Sequence, residues 1–150
     1  MTSTPDAEVT AIVRCGTTKG SFEAHLYREW SPNGVDRAIE LFENHFFDYS
    51  HFFRVVHGFL VQFGISYISD QDVQKLANSV IPDDPQLDPP VPFEEGIISY
   101  AGSGPNSRSS QMFIAYGPVI SLGKELWETP IGKVVKGMDH VREFYGDYGK

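Results

Sequence analysis

The stretch from Phe52 to Gly64 reads FFRVVHGFLVQFG and holds two runs rich in aromatic and β-branched residues. A break at His57-Gly58 separates the two runs, and the pattern predicts two strands. Side chains alternate between the two faces of a strand. Arg54 therefore shares a face with its second neighbours on either side, and Leu60 shares a face of the next strand with Gln62.

A later strand places Gln111 and Phe113 on one face by the same alternation. If this face adjoins those of Arg54, Leu60 and Gln62, one arginine, two amides and several apolar side chains meet in a patch. Guanidinium groups only donate hydrogen bonds, whereas amides donate and accept, so the patch suits an apolar ligand that carries carbonyl groups. A proline-containing peptide is such a ligand. The pattern by itself more often describes an ordinary surface arginine paired with one of the 20 acidic residues.

Strand patterns recur along the chain and are clustered, with no regular alternation of strands and helices. The predicted strands number about seven: Val9–Cys15, Ser21–Tyr27, Phe52–Val56, Phe59–Phe63, Ile97–Ala101, Gln111–Ala115 and Ile131–Val135. The first two read as a hairpin. Clustered strands favour a mainly antiparallel barrel or sandwich over a parallel α/β fold.

Two helices are expected beside these strands. Ser31-Pro32 supplies a capping hydroxyl and a first-turn proline for a helix over Pro32 to His45, whose apolar stripe covers one opening of the sheet. A short helix follows from Met138 to about Phe144. Between Ile65 and Glu95 periodicity disappears, and a long ordered loop is predicted there. Its aspartates are expected to be solvated: Asp83, Asp84 and Asp88.

Length and charge limit the classes of function. With 150 residues the chain suits one core, so we expect one domain over residues 1–150, with residues 1–8 flexible. A formal charge of −8 argues against a nucleic-acid partner. No run approaches the roughly 18 apolar residues of a membrane span, and the start lacks signal-peptide features. We therefore expect a soluble chain, cytoplasmic by default. The single cysteine, Cys15, rules out an internal disulfide, and no residue spacing predicts a metal site.

Three segments resemble the signatures of the cyclophilin family. The stretch from Phe52 to Gly64 is similar to the pattern Phe-x-Arg-Val-x-x-Gly-Phe-x-x-Gln-x-Gly. Ser99–Ile114, SYAGSGPNSRSSQMFI, and Gly132–Asp139, GKVVKGMD, resemble the second and third signatures. The three occur in the family's order. The resemblance implies a cyclophilin-like antiparallel β-barrel capped by one or two α-helices, and the family's last strand has no counterpart before Lys150.

The resemblance also implies an activity, the cis/trans isomerisation of X-Pro bonds without a covalent intermediate or cofactor. Carried over by position, Arg54 and Gln62 correspond to catalytic residues. Six further residues correspond to the substrate-binding set: Phe59, Leu60, Ala101, Gly102, Gln111 and Phe113. Leu60 replaces a methionine, and Gly102 replaces an asparagine. The implied partners are proline-containing peptides or proteins, bound by a monomer.

Between Ile120 and Gly132 the chain departs from the family's pattern. Ile120 takes the place of a tryptophan and Glu125 that of a histidine, while Trp127 is a candidate to fill the vacated space. We therefore expect cyclosporin-type ligands to bind weakly at best. The departure leaves an alternative open, a proline-peptide binding module or scaffold with little or no isomerase activity.

Overall fold

The computed structural model describes residues 9–17, 20–51, 54–56, 60–66, 68–84, 91, 93–102, 104–118 and 128–141. Within these ranges there are nine strands: β1 Ala11–Thr17, β2 Gly20–Leu26, β3 Ser50–His51, β4 Arg54–Val56, β5 Leu60–Phe63, β6 Ile65–Ser66, β7 Ile97–Tyr100, β8 Met112–Ala115 and β9 Pro130–Lys136. The helices of the same ranges are α1 Pro32–Glu43, a 3-10 helix Phe46–Tyr49 and α2 Gln71–Asn78. Residues 138–141 are also helical.

Seven strands form one antiparallel sheet, and β3 and β6 form a separate pair. The order in the large sheet is β1-β2-β9-β7-β8-β5-β4. The sheet curls into a half-barrel, so the predicted mainly β, antiparallel, barrel-like class is confirmed. The predicted hairpin is the β1–β2 pair, in register from Ala11 opposite Leu26 to Thr17 opposite Gly20. The prediction that the family's last strand is missing concerns a region outside the described residues.

The two faces of the large sheet bury different apolar clusters. On one face Val61, Ile114 and Ile98 stand opposite one another on β5, β8 and β7. They belong to the main core, to which α1 adds the fully buried Val35, Ala38 and Leu41. Burial of a side chain as large as Val35 or Leu41 contributes about 1.5–3 kcal/mol. The alternation that directs these residues inward places their neighbours on the opposite face.

Helix α1 begins as predicted at Pro32 but is capped from a distance. The Ser31 hydroxyl makes no capping hydrogen bond and donates to the Pro130 carbonyl oxygen at 3.0 Å. The Asp84 carboxylate accepts the free backbone N–H groups of Asn33 and Gly34, at 2.8 and 2.9 Å. The predicted cap at Ser31 is therefore wrong, and so is the prediction of a solvated Asp84, which is 1% exposed.

The predicted loop between Ile65 and Glu95 contains a helix. α2 begins after Asp70, whose carboxylate accepts the N–H groups of Asp72 and Val73 at 2.9 and 3.2 Å. Only Val73 and Ala77 of this helix are buried. The helix has only 8 residues and a narrow apolar stripe. Its apolar periodicity therefore extends over too few residues to stand out in the sequence. Among the described residues no helix has the length and apolarity that a membrane crossing needs.

Replacing Asp70 with alanine is expected to lower the free energy of unfolding by about 1 kcal/mol, because two N–H groups lose their acceptor. Urea denaturation followed by circular dichroism measures the loss. Asp70→Asn is the matched control, since its side-chain oxygen still caps the helix. An equal loss in both variants would contradict the role assigned to the cap.

Candidate functional site

A row of residues crosses four neighbouring strands on the outer face of the sheet. In the backbone register Arg54 on β4 stands opposite Gln62 on β5, Gln62 opposite Phe113 on β8, and Phe113 opposite Ser99 on β7. Residues directly opposite one another in an antiparallel pair share a face. The faces predicted to adjoin therefore do adjoin. The side chain of Arg54 lies outside the described part of the structure.

The two predicted glutamines meet at the edge of this row. Gln62 Nε2 donates a hydrogen bond to Gln111 Oε1 at 3.2 Å, and only 9% of Gln62 is exposed. The backbone carbonyl of Gln111 accepts the N–H of Ala101 at 2.8 Å. The Ala101 edge is thus joined to the amide pair, while the neighbouring Gly102 is exposed.

An apolar cluster, here called the outer cluster, lies beside the amides. It consists of Trp30, Leu60, Val91, Phe93, Ile97, Phe113 and Ala115, with Tyr27 and Ala101 packed against it. Leu60 and Phe113 are 6% and 7% exposed, so each presents only a small part of its surface to solvent. Predicted residues Leu60, Phe113 and Ala101 therefore come together as expected.

Two aromatic members of the outer cluster were not predicted from the sequence. The ring of Phe93 stacks at 6.0 Å from that of Phe113, and Trp30, 2% exposed, packs at 4.3 Å from Tyr27. Trp30 stands directly before Ser31-Pro32, and nothing in its sequence surroundings shows that it reaches strands far along the chain. Several residues of the sequence prediction lie outside the described residues: Phe59, Ile120, Glu125 and Trp127.

The only cysteine packs against the main core and not in the outer cluster. Cys15 lies on β1, at the other end of the strand order from β4. Burial, with a smaller contribution from the charge of Asp48, raises the pKa of its thiol to about 11. The thiol is protonated at neutral pH and therefore does not serve as a nucleophile.

The site thus combines an apolar cluster with the Gln62–Gln111 amide pair and a backbone edge at Ala101. Amides and backbone groups hydrogen-bond carbonyl and N–H groups, and apolar side chains suit contact with a small ring or an aliphatic side chain. Fold and site together define a curled antiparallel β protein with an amide-edged apolar site on the outer face of its sheet.

Comparisons with known proteins place this class in a family. The family model for cyclophilin type peptidyl-prolyl cis-trans isomerase matches residues 12–146. The peptidyl-prolyl cis-trans isomerase CYP18-2 of Arabidopsis thaliana is 31% identical over 128 residues, which cover 84% of this chain and 75% of that protein. A Cryptosporidium parvum cyclophilin superposes with a TM-score of 0.68 at 21% identity, over 88% of this chain and 82% of that one. The chain therefore belongs to the cyclophilin-type peptidyl-prolyl cis-trans isomerases, and the resemblance is confirmed.

Relatives in this family differ greatly in length. Peptidyl-prolyl cis-trans isomerase-like 2 of Gibberella zeae is 29% identical over 133 residues, which are 88% of this chain and 22% of that protein. The chain thus spans about a fifth of one relative and three quarters of another.

Proposed function

We propose that this chain catalyses the cis/trans isomerisation of X-Pro bonds in peptides and unfolded chains, with Arg54 as the central polar group. The observation that carries the proposal is the row across β4, β5 and β8, in which Arg54 stands opposite Gln62 and Gln62 opposite Phe113. Residues that are paired in this register share a face, so the proposal assigns the cation, the amide and the apolar cluster to one face of the sheet.

The reaction needs little from the protein beyond selective binding. Amide resonance gives the peptide bond a barrier of about 18–20 kcal/mol, and uncatalysed X-Pro exchange takes tens to hundreds of seconds. In the twisted state the proline nitrogen becomes pyramidal and accepts a hydrogen bond. A group that binds this state more tightly than either planar isomer lowers the barrier, without proton transfer or a covalent intermediate.

Each site residue has a part in this proposal. Arg54 donates to the pyramidal nitrogen and to a neighbouring carbonyl of the substrate. Leu60 and Phe113, with Phe59, hold the proline ring. Gln62 and Gln111 orient the substrate carbonyls, and their mutual hydrogen bond restricts the positions of both amides. The backbone at Ala101 and Gly102 pairs with the peptide, for which the exposure of Gly102 leaves room.

A related structure supports the choice of ligand. The Cryptosporidium parvum cyclophilin has been solved in the presence of the dipeptide ala-pro, and it superposes on this chain with a TM-score of 0.68. At 20% identity the likeness extends to the fold alone. We extend the ligand class to this chain because Gln62, Phe113 and Ala101 adjoin one another on its outer face.

NMR exchange spectroscopy on a short Ala-Pro peptide tests the function. Catalytic amounts of the protein should raise the rate of exchange between the cis and trans proline signals well above the uncatalysed rate. If peptide resonances shift on titration while the exchange rate stays at its uncatalysed value, the chain is a proline-peptide binding module, and the proposal is wrong.

Cyclosporin-type ligands are expected to bind no more tightly than micromolar, because Ile120 and Glu125 replace the tryptophan and histidine of the family's pattern. A large cyclic ligand depends on this part of the pocket more than a short peptide does. Isothermal titration calorimetry measures the affinity. Ile120→Trp, which restores one of the two side chains, should bind cyclosporin more tightly than the wild type. Submicromolar binding by the wild type would contradict the expectation.

A further inference from the structure

Arg108 and Asp84 form a buried ion pair outside the residues assigned above. Arg108 Nη2 lies 3.1 Å from Asp84 Oδ2, and the two side chains are 0% and 1% exposed. Burying a charged pair costs several kcal/mol per ion, which close contact only partly offsets. A gain in folding stability therefore does not by itself explain why this pair is present.

The pair sits on the first turn of α1. The Asp84 carboxylate accepts the N–H groups of Asn33 and Gly34, as described above, so it binds the helix N-terminus and the guanidinium together. Arg108 Nη2 also donates to the carbonyl oxygen of Pro82. Gly34 permits this approach, because a Cβ there would lie 2.9 Å from Ile131 Cγ2 and 3.2 Å from Arg108 Nη1.

The Arg108–Asp84 pair and the first turn of α1 also contact β7, the strand that leads to the backbone edge at Ala101. Tyr100, the residue before Ala101, donates its hydroxyl to the Gly34 carbonyl oxygen at 2.8 Å, and its ring lies 5.5 Å from the Arg108 guanidinium carbon. Burial raises the pKa of Tyr100, so its hydroxyl stays a donor over the ordinary pH range. Tyr100 and Arg108, which flank the turn after Ala101, are therefore both fixed on the first turn of α1.

The segment between Tyr100 and Gln111 is held by hydrogen bonds and by Arg108 rather than by apolar packing. Residues 102–110 read GSGPNSRSS and contain no large apolar side chain. Hydrogen bonds hold the described part of it: Ile81 N–H to the Arg108 carbonyl at 2.9 Å, Asp83 N–H to Asn106 Oδ1 at 2.9 Å, and Ser110 Oγ to the Gly64 carbonyl at 2.8 Å. Arg108 is the only side chain of this segment that reaches the α1 N-terminus in the described structure.

We propose that the Arg108–Asp84 pair positions the peptide groove, by which we mean the surface formed by Gln62, Gln111, Phe113 and the backbone at Ala101. The pair fixes residues 104–111 against α1. It thereby holds the Gln111 side-chain amide in place for Gln62 and the Gln111 carbonyl in place for Ala101. The proposal rests on the proposed function for the identity of the groove's occupant. Arg108 and Asp84 are positioning residues, because they act through Gln111 and the Ala101 edge and do not touch substrate.

Asp84→Asn tests the proposal, since it keeps the shape of the side chain and one acceptor oxygen but removes the charge. Asp36→Asn is the matched control, because Asp36 lies on α1 and forms an exposed ion pair with Arg28, which precedes the helix; the two side chains are 52% and 54% exposed. Hydrogen exchange of the Ala101 amide is compared with that of Ile114 in the middle of the sheet. A general loss of stability speeds both amides alike, whereas loss of positioning speeds Ala101 more.

In Asp84→Asn the ratio of the Ala101 to the Ile114 exchange rate should rise about tenfold, and in Asp36→Asn it should stay at the wild-type value. An unchanged ratio in Asp84→Asn overturns the proposal. Arg108→Met and Arg108→Lys give a second comparison, in which lysine should restore part of the Ala101 protection that methionine loses. Equal loss of that protection in both Arg108 variants also counts against it.

The titration of Asp84→Asn with an Ala-Pro peptide separates this proposal from the proposed function. Weaker peptide binding with an unchanged exchange rate at saturation is the expected result, because the catalytic row itself is left intact. A lower rate at saturation with unchanged affinity contradicts positioning of the groove. If the wild type does not accelerate X-Pro exchange, the proposed function fails, while the ratio of amide exchange rates still decides whether Arg108 and Asp84 position the Ala101 edge.

Discussion

Replacing Arg54 with alanine is expected to lower the catalysed rate of X-Pro exchange by about 100- to 1000-fold, while peptide binding changes little. The arginine acts on the twisted state in the proposed mechanism, so its loss raises the barrier more than it weakens the ground-state complex. Exchange spectroscopy at saturating Ala-Pro peptide gives the rate, and titration of the same peptide gives the affinity.

A second arginine serves as the control for this variant. Arg14 on β1 pairs with Glu23 across the hairpin, and 76% of its side chain is exposed. Arg14→Ala should therefore leave both the exchange rate and the peptide affinity at their wild-type values. An Arg54→Ala protein that stays folded and as fast as the wild type would remove Arg54 from the mechanism.

Replacing Gly64 with alanine is expected to destabilise the fold by about 3 kcal/mol or more. Gly64 has a φ of 115°, which L side chains rarely adopt. A Cβ at this position would collide with the carbonyl oxygen of Ser110 and lie 2.6 Å from the Cα of Gln111. These are backbone atoms, so no change of rotamer relieves the contact, and β5 has to move away from the segment before β8.

Gly117 provides a matched substitution for this experiment. A Cβ at Gly117 would have no atom within 4 Å, and its φ is not positive. Gly117→Ala should thus change the free energy of unfolding by less than about 0.5 kcal/mol. Urea denaturation compares the two variants. A loss below about 1 kcal/mol for Gly64→Ala would mean that the chain around Ser110 yields easily.

The strand pattern was enough to predict which residues of the candidate site share a face. Alternation put Arg54, Gln62 and Phe113 on particular sides of their strands, and the register placed those sides together. Local signals also located the hairpin and the start of α1 at Pro32. These features depend on residues a few positions apart, which is the range over which sequence periodicity carries information.

Features that depend on distant contacts were not predictable in the same way. Asp84 stands among prolines and aspartates that are typical of a solvated loop, yet it caps a helix that begins about 50 positions earlier. Trp30 and Phe93 join the outer cluster through contacts with strands elsewhere in the chain. Helix α2 has only two buried residues, Val73 and Ala77, and so gives no clear period.

The place of β9 in the sheet has a consequence for how the protein folds. β9 lies between β2 and β7, and Gly132 stands opposite Leu26 on one side and Ile98 on the other. Contacts so distant along the chain give a high contact order, which slows folding. During synthesis the strands that carry the proposed groove, β4, β5, β7 and β8, leave the ribosome before β9. The β1–β2 hairpin is synthesised before these strands, but it can join the rest of the sheet only after β9 has been synthesised.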